Sequence, residues 1–481
     1  MGNTLKEVPQ NIAIAKVVHH GEQITLPVGM NLDEAIATLE RRQTYLEEEM
    51  NFSQQFAYFP YDGANAINEV LEKQFGWSIA EPTPGFFGKQ PPKLINIEVA
   101  PKQFKKVPWG RFALPGTEGG WIQCSAAWDG SMVKFALTGI VKRKYEDVVE
   151  SIFAKTREYL ETNSIYKGKA IKIRFNDDSG EALEMPIPEF MDLTDVDENM
   201  LIYSDDVQTQ VTNNLLTPIE RVADLIANNV PVKRGVMLAG KYGTGKTLGA
   251  KVAAKKAVQN SISFIYITHA DELAKAIAFA KQYQSPACVV FCEDIDRALK
   301  GERTQEMDDI LNIIDGIDTK TCNIITILTT NHIENINPTM LRPGRLDAII
   351  EVKAPDAKAV QKLLRVYGGA AIKSSTDLSK AGAVLDGQIP AVIAEVIKRA
   401  KLAELSRTPK GQVITDLSEQ AILEAAESIK AHVELLERRS NEQSPQVPAL
   451  EQVIMNCVTA ALTNNPSLVT RNITLNVATE Q

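Results

Sequence analysis

Eight consecutive residues, Gly240-Lys241-Tyr242-Gly243-Thr244-Gly245-Lys246-Thr247, fit the pattern G-x-x-x-x-G-K-[ST]. Backbone N–H groups can turn inward around phosphate oxygens only where φ can become positive, which glycine allows. An amine on a long stem, Lys246, suits the β- and γ-phosphates, and the Thr247 hydroxyl suits Mg²⁺. Leu248 follows, so the residues expected to touch a nucleotide run from Gly240 to Leu248. Further along, the apolar run Ala287-Cys288-Val289-Val290-Phe291-Cys292 ends in Glu293-Asp294-Ile295-Asp296. A phosphoryl-transfer site needs one acid for the Mg²⁺ shell and commonly a second to orient the attacking water. Glu293 and Asp294 are the candidates for both roles, and they join Thr247 as candidate metal ligands. Asn331, after the run ending Thr329-Thr330, could help position the water. Arg342 and Arg345 lie three residues apart across Pro343-Gly344. Arginine is the side chain best suited to charge on a transferring phosphoryl group.

These residues need strands that end on one crevice, and the pattern from Thr217 onward predicts them. Helical periodicity and short apolar strands alternate there, as in a parallel α/β sheet. Strands are expected at Gly235–Ala239, Ser263–Ile267, Cys288–Cys292, Asn323–Thr329 and Ala348–Val352, with helices at Thr217–Asn228, Thr247–Val258 and Asp271–Tyr283. The phosphate-binding string follows a strand and opens a helix, whose N-terminal N–H groups face an anion. From Asp356 to about Arg439 the chain reads as helical.

Upstream, a helix is expected over Asn31–Gln55 and a second over Ala64–Phe75, followed by a Pro/Gly-rich stretch, Glu81–Pro92. Strands at Leu94–Val99, Trp121–Ala127, Val133–Ile140 and Lys169–Phe175, with a helix at Tyr145–Thr162, read as an α+β domain. Asp129-Gly130 marks a turn. The acidic run Asp192–Asp206 lacks periodicity and is expected to be a linker. Asn441–Pro448 is a polar break, and Val469–Val477 alternates like a strand. The fold class is therefore α/β. Its expected domains are an N-terminal helical region (1–92), an α+β client or adaptor domain (93–195), a large α/β domain (196–355), a helical lid (356–440) and a tail (441–481).

A chain of 481 residues is too long for one core. No apolar run is long enough to span a bilayer, and the first ten residues lack the apolar core of a signal peptide. Five cysteines without a C-x-x-C pair read as reduced thiols in a cytoplasmic compartment, with neither a zinc site nor a disulfide frame. Cys288 and Cys292 read as small core residues. A formal charge of −9 disfavours nucleic acid as the main partner, although Lys102, Lys105 and Lys106, or Lys142-Arg143-Lys144, could form a local patch.

The loop, the acid pair, Asn331 and the string Leu341-Arg342-Pro343-Gly344-Arg345-Leu346-Asp347, in this order and spacing, resemble the AAA family within AAA+ over about Thr217–Arg439. The resemblance implies an ATP hydrolase with ATP and Mg²⁺ at its site. It makes Asn331 the sensor, and Arg342 and Arg345 arginine fingers that reach a neighbouring subunit. It also implies a homo-oligomeric ring of six or seven subunits, with a helical lid after Asp356. Two departures from the family pattern carry information. The acid pair runs Glu293-Asp294 where most of the family has Asp then Glu. Thr268-His269-Ala270-Asp271-Glu272-Leu273 passes into a helix where protein-threading relatives carry an aromatic-apolar-Gly pore loop. Both departures, with Thr329-Thr330-Asn331-His332, are similar to the mitochondrial branch that translocates the folded Rieske subunit. Phe135-Ala136-Leu137, Lys142-Arg143-Lys144, Val148–Leu160 and Lys169–Ile173 resemble that branch's middle domain more loosely. The function expected from this resemblance is ATP-driven remodelling or translocation of a protein client held by the N-terminal domain. A nucleic-acid-associated loader and an ATP-binding scaffold with slow turnover are the alternatives.

Overall fold

The computed structural model describes residues 14–19, 22–27, 31–76, 79–86, 88–128, 130, 132–177, 179–295, 323–336 and 346–429. Arg342, Arg345, Asp296, Asp129 and everything from residue 430 onward, including the expected strand at Val469–Val477, lie outside the described residues. The chain divides into two compact units. One is Met1–Leu363 with Gly387–Ala391, and the other is Leu364–Asp386 with Val392–Gln481.

The first unit opens with a hairpin of β1 (Ile14–His19) and β2 (Glu22–Pro27), paired antiparallel. Helix α1 (Leu32–Glu47) starts at Asn31, whose side chain accepts from the Asp33 N–H. The helix expected to reach Gln55 stops at Glu48, where the backbone turns extended. Glu49–Phe56 is strand β3 instead. Its Met50, Phe52, Gln54 and Phe56 alternate with polar neighbours, and the whole segment pairs with residues 135–142. A period of two thus overrides the helical reading of the charged residues before it. Helix α2 (Pro60–Phe75) begins with proline in its first turn and ends at Gly76 in the left-handed region (φ 76°).

Short strands β4 (Ala80–Glu81), β5 (Thr83–Gly85) and β6 (Gly88–Gln90) occupy the Pro/Gly-rich stretch. They lead to a hairpin of β7 (Lys93–Ala100) and β8 (Gln103–Trp109). Strands β9 (Arg111–Ala113), β10 (Trp121–Trp128) and β11 (Val133–Lys142) complete an antiparallel sheet of order β3-β11-β10-β9-β4. Helix α2 and helix α3 (Glu146–Asn163) share its core, in which Ile67, Leu71, Phe112, Ile122, Phe135, Leu137, Ile152 and Leu160 are buried together.

The second sheet has seven strands in the order β13-β12-β15-β16-β17-β14-β18. They are β12 (Ala170–Asn176), β13 (Ala182–Phe190), β14 (Arg234–Ala239), β15 (Ser263–Ile267), β16 (Cys288–Cys292), β17 (Ile324–Thr330) and β18 (Ala348–Glu351). All neighbours pair parallel except β12 with β13. Two strands from the segment expected to form the preceding α+β domain therefore belong to this sheet. Every residue of β16 and β17 is buried. Strands covered on both faces read as unbroken apolar runs, which is why these were legible.

The acidic stretch expected to be a linker carries packed structure. Leu201 and Tyr203 are buried in the core beneath the sheet, and α4 (Asp205–Val211) follows. The helix expected at Thr217–Asn228 is broken at Arg221 into α5 (Thr217–Glu220) and α6 (Val222–Ala227). Helices α7 (Lys246–Gln259) and α8 (Leu273–Ala280) flank the sheet. The β7–β8 hairpin and the chain just before α2 share a core with the parallel sheet. Phe59, Ile97 and Val107 are buried with Ile171, Ile265, Phe279, Tyr283 and Cys288.

A helix over Ala357–Gly368 crosses from the first unit into the second. The second unit continues with helices at Ser379–Val384, most of Pro390–Arg407, and 419–429. Ile393, Val396, Ile397, Leu417 and Ile422 are buried. No helix among the described residues is long and apolar enough to cross a membrane.

Candidate active site at the strand ends

Strands β14, β17 and β16 lie side by side and parallel, so their C-terminal ends open on one edge of the sheet. That edge is where ligands bind in open α/β sheets. The loop after β14 carries the Gly240–Thr247 string. Gly243 (φ 76°) and Gly245 (φ 100°) adopt the left-handed conformations that this loop requires. Gly240 has no room for a side chain, since a Cβ there would sit 2.3 Å from the Val352 carbonyl oxygen. Thr244 Oγ1 donates to the Lys241 carbonyl at 2.8 Å and closes the loop. Leu248 is partly buried against the core below, and Tyr242 is exposed with its edge toward the His332 ring.

The Lys246 ammonium folds back over the loop. It donates to the carbonyls of Gly240 (2.5 Å) and Lys241 (2.9 Å) and to Asn331 Oδ1 (2.7 Å). Asn331, just past β17, donates through Nδ2 to Asp294 Oδ1 at 2.6 Å. The Asp294 N–H donates to Thr329 Oγ1 at 3.1 Å. Asp294 sits at φ 48°, a left-handed conformation that a non-glycine residue adopts at a cost. Glu293 accepts from Thr247 Oγ1 at 2.6 Å on one carboxylate oxygen. Its other oxygen accepts from the Tyr266 hydroxyl. Lys246, Asn331 and Asp294 thus form one hydrogen-bonded set and Thr247 and Glu293 another, and the two meet at the consecutive acids Glu293 and Asp294.

Several residues that sequence reasoning passed over complete the site. Tyr203, from the supposed linker, donates its hydroxyl to the Gly245 carbonyl at 3.0 Å. Its ring fills the space that the absent side chains of Gly245 and Gly249 leave. Burial raises its pKa well above the usual tyrosine range, so it stays a donor. Tyr266 sits one residue before the end of β15, a position that reads as an ordinary strand aromatic. Thr329 is a β17 residue whose hydroxyl accepts from the Asp294 N–H just past the neighbouring β16. His332 Nδ1 lies 3.0 Å from Glu334 Oε1, consistent with a structural role. Burial raises the thiols of Cys288 and Cys292 well above their usual pKa, which leaves them inert core residues.

The cluster's chemistry suits a metal-bound triphosphate. Two positive-φ glycines shape the loop as phosphate-cradling backbone requires, the ammonium is held beside it, and a hydroxyl and two carboxylates stand nearby. The candidate basic patches do not offer an equally clear anion surface. Lys142 and Lys144 each bond both Glu47 and Glu118, and Arg143 pairs with Glu48. These lysines hold the Glu118 carboxyl down to about 2. Lys102 pairs with Asp192, and Lys105 with Glu69.

Comparison with known proteins agrees with this geometry. Residues 236–354, which hold β15 to β18 and most of β14, match the model of the ATPase family associated with various cellular activities, AAA. The chain is similar to an ATP-dependent zinc metalloprotease FtsH of Rhodococcus erythropolis, 33% identical over 207 residues, which cover 39% of this chain and 24% of that protein. It is 29% identical over 237 residues to FtsH 2 of Sphaerobacter thermophilus, covering 46% of this chain and 35% of that one. FtsH of a Synechococcus species is 26% identical over 279 residues, covering 51% and 42%. The chain thus spans between a quarter and about two-fifths of the length of these curated relatives.

Proposed function

We propose that this protein is a ring-forming ATPase that couples ATP hydrolysis to remodelling or translocation of a protein client. One observation carries the reading: Lys246, Thr247, Glu293, Asp294 and Asn331 converge, hydrogen-bonded, at neighbouring strand ends. The match to the AAA family supports it, and the relatives' names describe ATP-dependent action on proteins. Mg²⁺, when bound, would neutralise charge developing on the transferred phosphoryl group. Thr247 and Glu293 would hold the metal. Lys246 would exchange its loop carbonyls for phosphate oxygens. Asp294 would orient the attacking water and take its proton, while Asn331 and Thr329 keep its carboxylate and backbone in place. Arg342 and Arg345 of a neighbouring subunit would complete the charge stabilisation.

The Glu293-Asp294 order and the direct passage from β15 into α8 fit the branch that moves folded proteins better than a threading machine. Client binding falls to the antiparallel sheet and its helices. The ion pairing of the basic clusters argues against a nucleic-acid partner. The second reading is a scaffold that binds ATP and turns over slowly, because each acid's reach differs by one methylene from the commoner order.

The test is steady-state ATP hydrolysis, with nucleotide affinity measured alongside, for wild type, Lys246→Ala and Asp294→Asn. Asp294→Asn is expected to lower turnover by about 10²-fold or more while nucleotide affinity holds, as removal of a general base does. Lys246→Ala is expected to lose nucleotide affinity by at least about tenfold, as loss of a charge-assisted phosphate contact does. Turnover by Asp294→Asn at the wild-type rate would favour the scaffold.

A further inference from the structure

A glutamate at position 293 needs something that an aspartate would not. Its carboxylate sits on one more rotatable bond, and each rotor left free adds positions in which the oxygens miss the metal site. Here both oxygens are engaged. Thr247 Oγ1 donates to one at 2.6 Å, and the Tyr266 hydroxyl donates to the other.

Tyr266 is itself held. It pairs in register with Phe291 on β16, and the two rings stack with centroids 5.2 Å apart at 28°. On the other side it pairs in register with Lys172 of β12, whose Nζ lies 5.8 Å from the ring centroid. A tyrosine has two side-chain torsions, so fixing the ring fixes the hydroxyl.

We propose that Tyr266 is a positioning residue. Its hydroxyl clamps the outer oxygen of Glu293 and so holds the inner oxygen at the Thr247 hydroxyl, where the two would hold Mg²⁺ when nucleotide binds. The longer acid and the tyrosine on the adjacent strand act as a pair. This inference rests on the ATPase reading and deepens it.

Tyr266→Phe keeps the ring, its stacking and most of its buried area, and removes only the hydroxyl. The measurement is binding of a fluorescent, non-hydrolysable ATP analogue titrated with Mg²⁺, with kcat and KM for ATP taken in parallel. Four proteins are compared: wild type, Tyr266→Phe, Glu293→Asp and the double variant. With Glu293 present, loss of the hydroxyl is expected to raise the Mg²⁺ midpoint about tenfold, as loss of a hydrogen bond to a charged group does. kcat should fall comparably, with KM at saturating Mg²⁺ little changed. In the Glu293→Asp background the shorter carboxylate no longer reaches the phenol, and Tyr266→Phe should change neither quantity. Such non-additivity is the signature of a coupled pair.

Two results overturn the proposal. One is a Mg²⁺ midpoint and kcat unaffected by Tyr266→Phe in the wild-type background. The other is an equal loss in both backgrounds, which marks a general packing role. A wild-type protein that shows no Mg²⁺-dependent nucleotide binding overturns the ATPase reading first, and this inference with it.

Discussion

At the scale of single residues, the phosphate loop is held by what its neighbours leave no room for. A Cβ on Gly240 would lie 2.3 Å from a backbone oxygen of Val352, which belongs to the chain just past β18 and cannot swing aside. At Gly243 the nearest obstacle to a Cβ is the far end of Ile389, a flexible side chain, but φ is 76°. The two glycines are therefore required for different reasons. Gly240→Ala is expected to cost about 1–3 kcal/mol of stability through overpacking, and to weaken nucleotide binding because the loop's anchor shifts. Gly243→Ala is expected to cost about 1–2 kcal/mol through the left-handed backbone alone. Urea unfolding of both variants, with nucleotide affinity measured on each, tests this. A Gly240→Ala protein as stable as wild type would show that β14 and β18 separate freely.

At the scale of elements, the antiparallel sheet's helices are tied to the parallel sheet through one buried carboxyl. Asp62, in the first turn of α2, accepts from Ser164 Oγ at 2.5 Å and from the Ile165 N–H at 3.0 Å, just after α3. The Tyr283 hydroxyl, beyond α8, donates to Asp62 at 3.4 Å and accepts from the Phe59 N–H at 3.1 Å. Burial raises the Asp62 pKa from 3.8 to about 7, against the opposing pull of those donors. Between about pH 4 and pH 7 the unfolded chain releases this proton while the folded chain keeps it. Stability therefore falls as pH rises through that window, and levels off above it. A gap of about three pH units corresponds to an upper bound on the order of 4 kcal/mol. Asp62→Asn, which cannot titrate, is expected to flatten this part of the profile. Thermal midpoints of both proteins from pH 4.5 to 8 decide it, and a slope that persists unchanged in the variant would assign the titration to another group.

The elements also show what could be read from sequence and what could not. β14, β15 and β16 were legible because strands buried on both faces need uninterrupted apolar residues. β13 was hidden by Pro186 and Pro188, which an edge strand tolerates because one row of its N–H groups faces away from the ladder. Tyr203 was hidden in an acidic stretch. Its burial depends on the missing side chains of Gly245 and Gly249, some forty residues away, and no local pattern reports that. The chemistry of Lys246, Thr247, Glu293 and Asp294 was legible because it requires fixed residue types at fixed spacing. The Tyr266 contact was not, because it depends on the register between two parallel strands.

At the scale of the whole molecule, the cluster at the strand ends leaves a specific expectation about assembly. Within one chain, Lys246, Asn331 and Asp294 are linked by hydrogen bonds, and the arginines expected to finish the site, Arg342 and Arg345, belong by resemblance to the next subunit. A site shared in this way turns over only when subunits meet, so turnover per subunit should rise with protein concentration as larger species form. Arginine fingers supplied in trans contribute roughly 10³–10⁵-fold to turnover in related phosphoryl-transfer sites. Arg342→Ala is accordingly expected to abolish measurable hydrolysis while nucleotide affinity of the single subunit is kept. Mixing supplies the sharper test. Arg342→Ala subunits keep an intact nucleotide pocket, and Lys246→Ala subunits keep an intact Arg342. Where one inactive protein lends its arginine to the other's pocket, the mixture should recover hydrolysis that neither shows alone. Hydrolysis that is independent of concentration, insensitive to Arg342→Ala and absent from the mixture would mean that each chain completes its own site, and the ring would have no part in the chemistry.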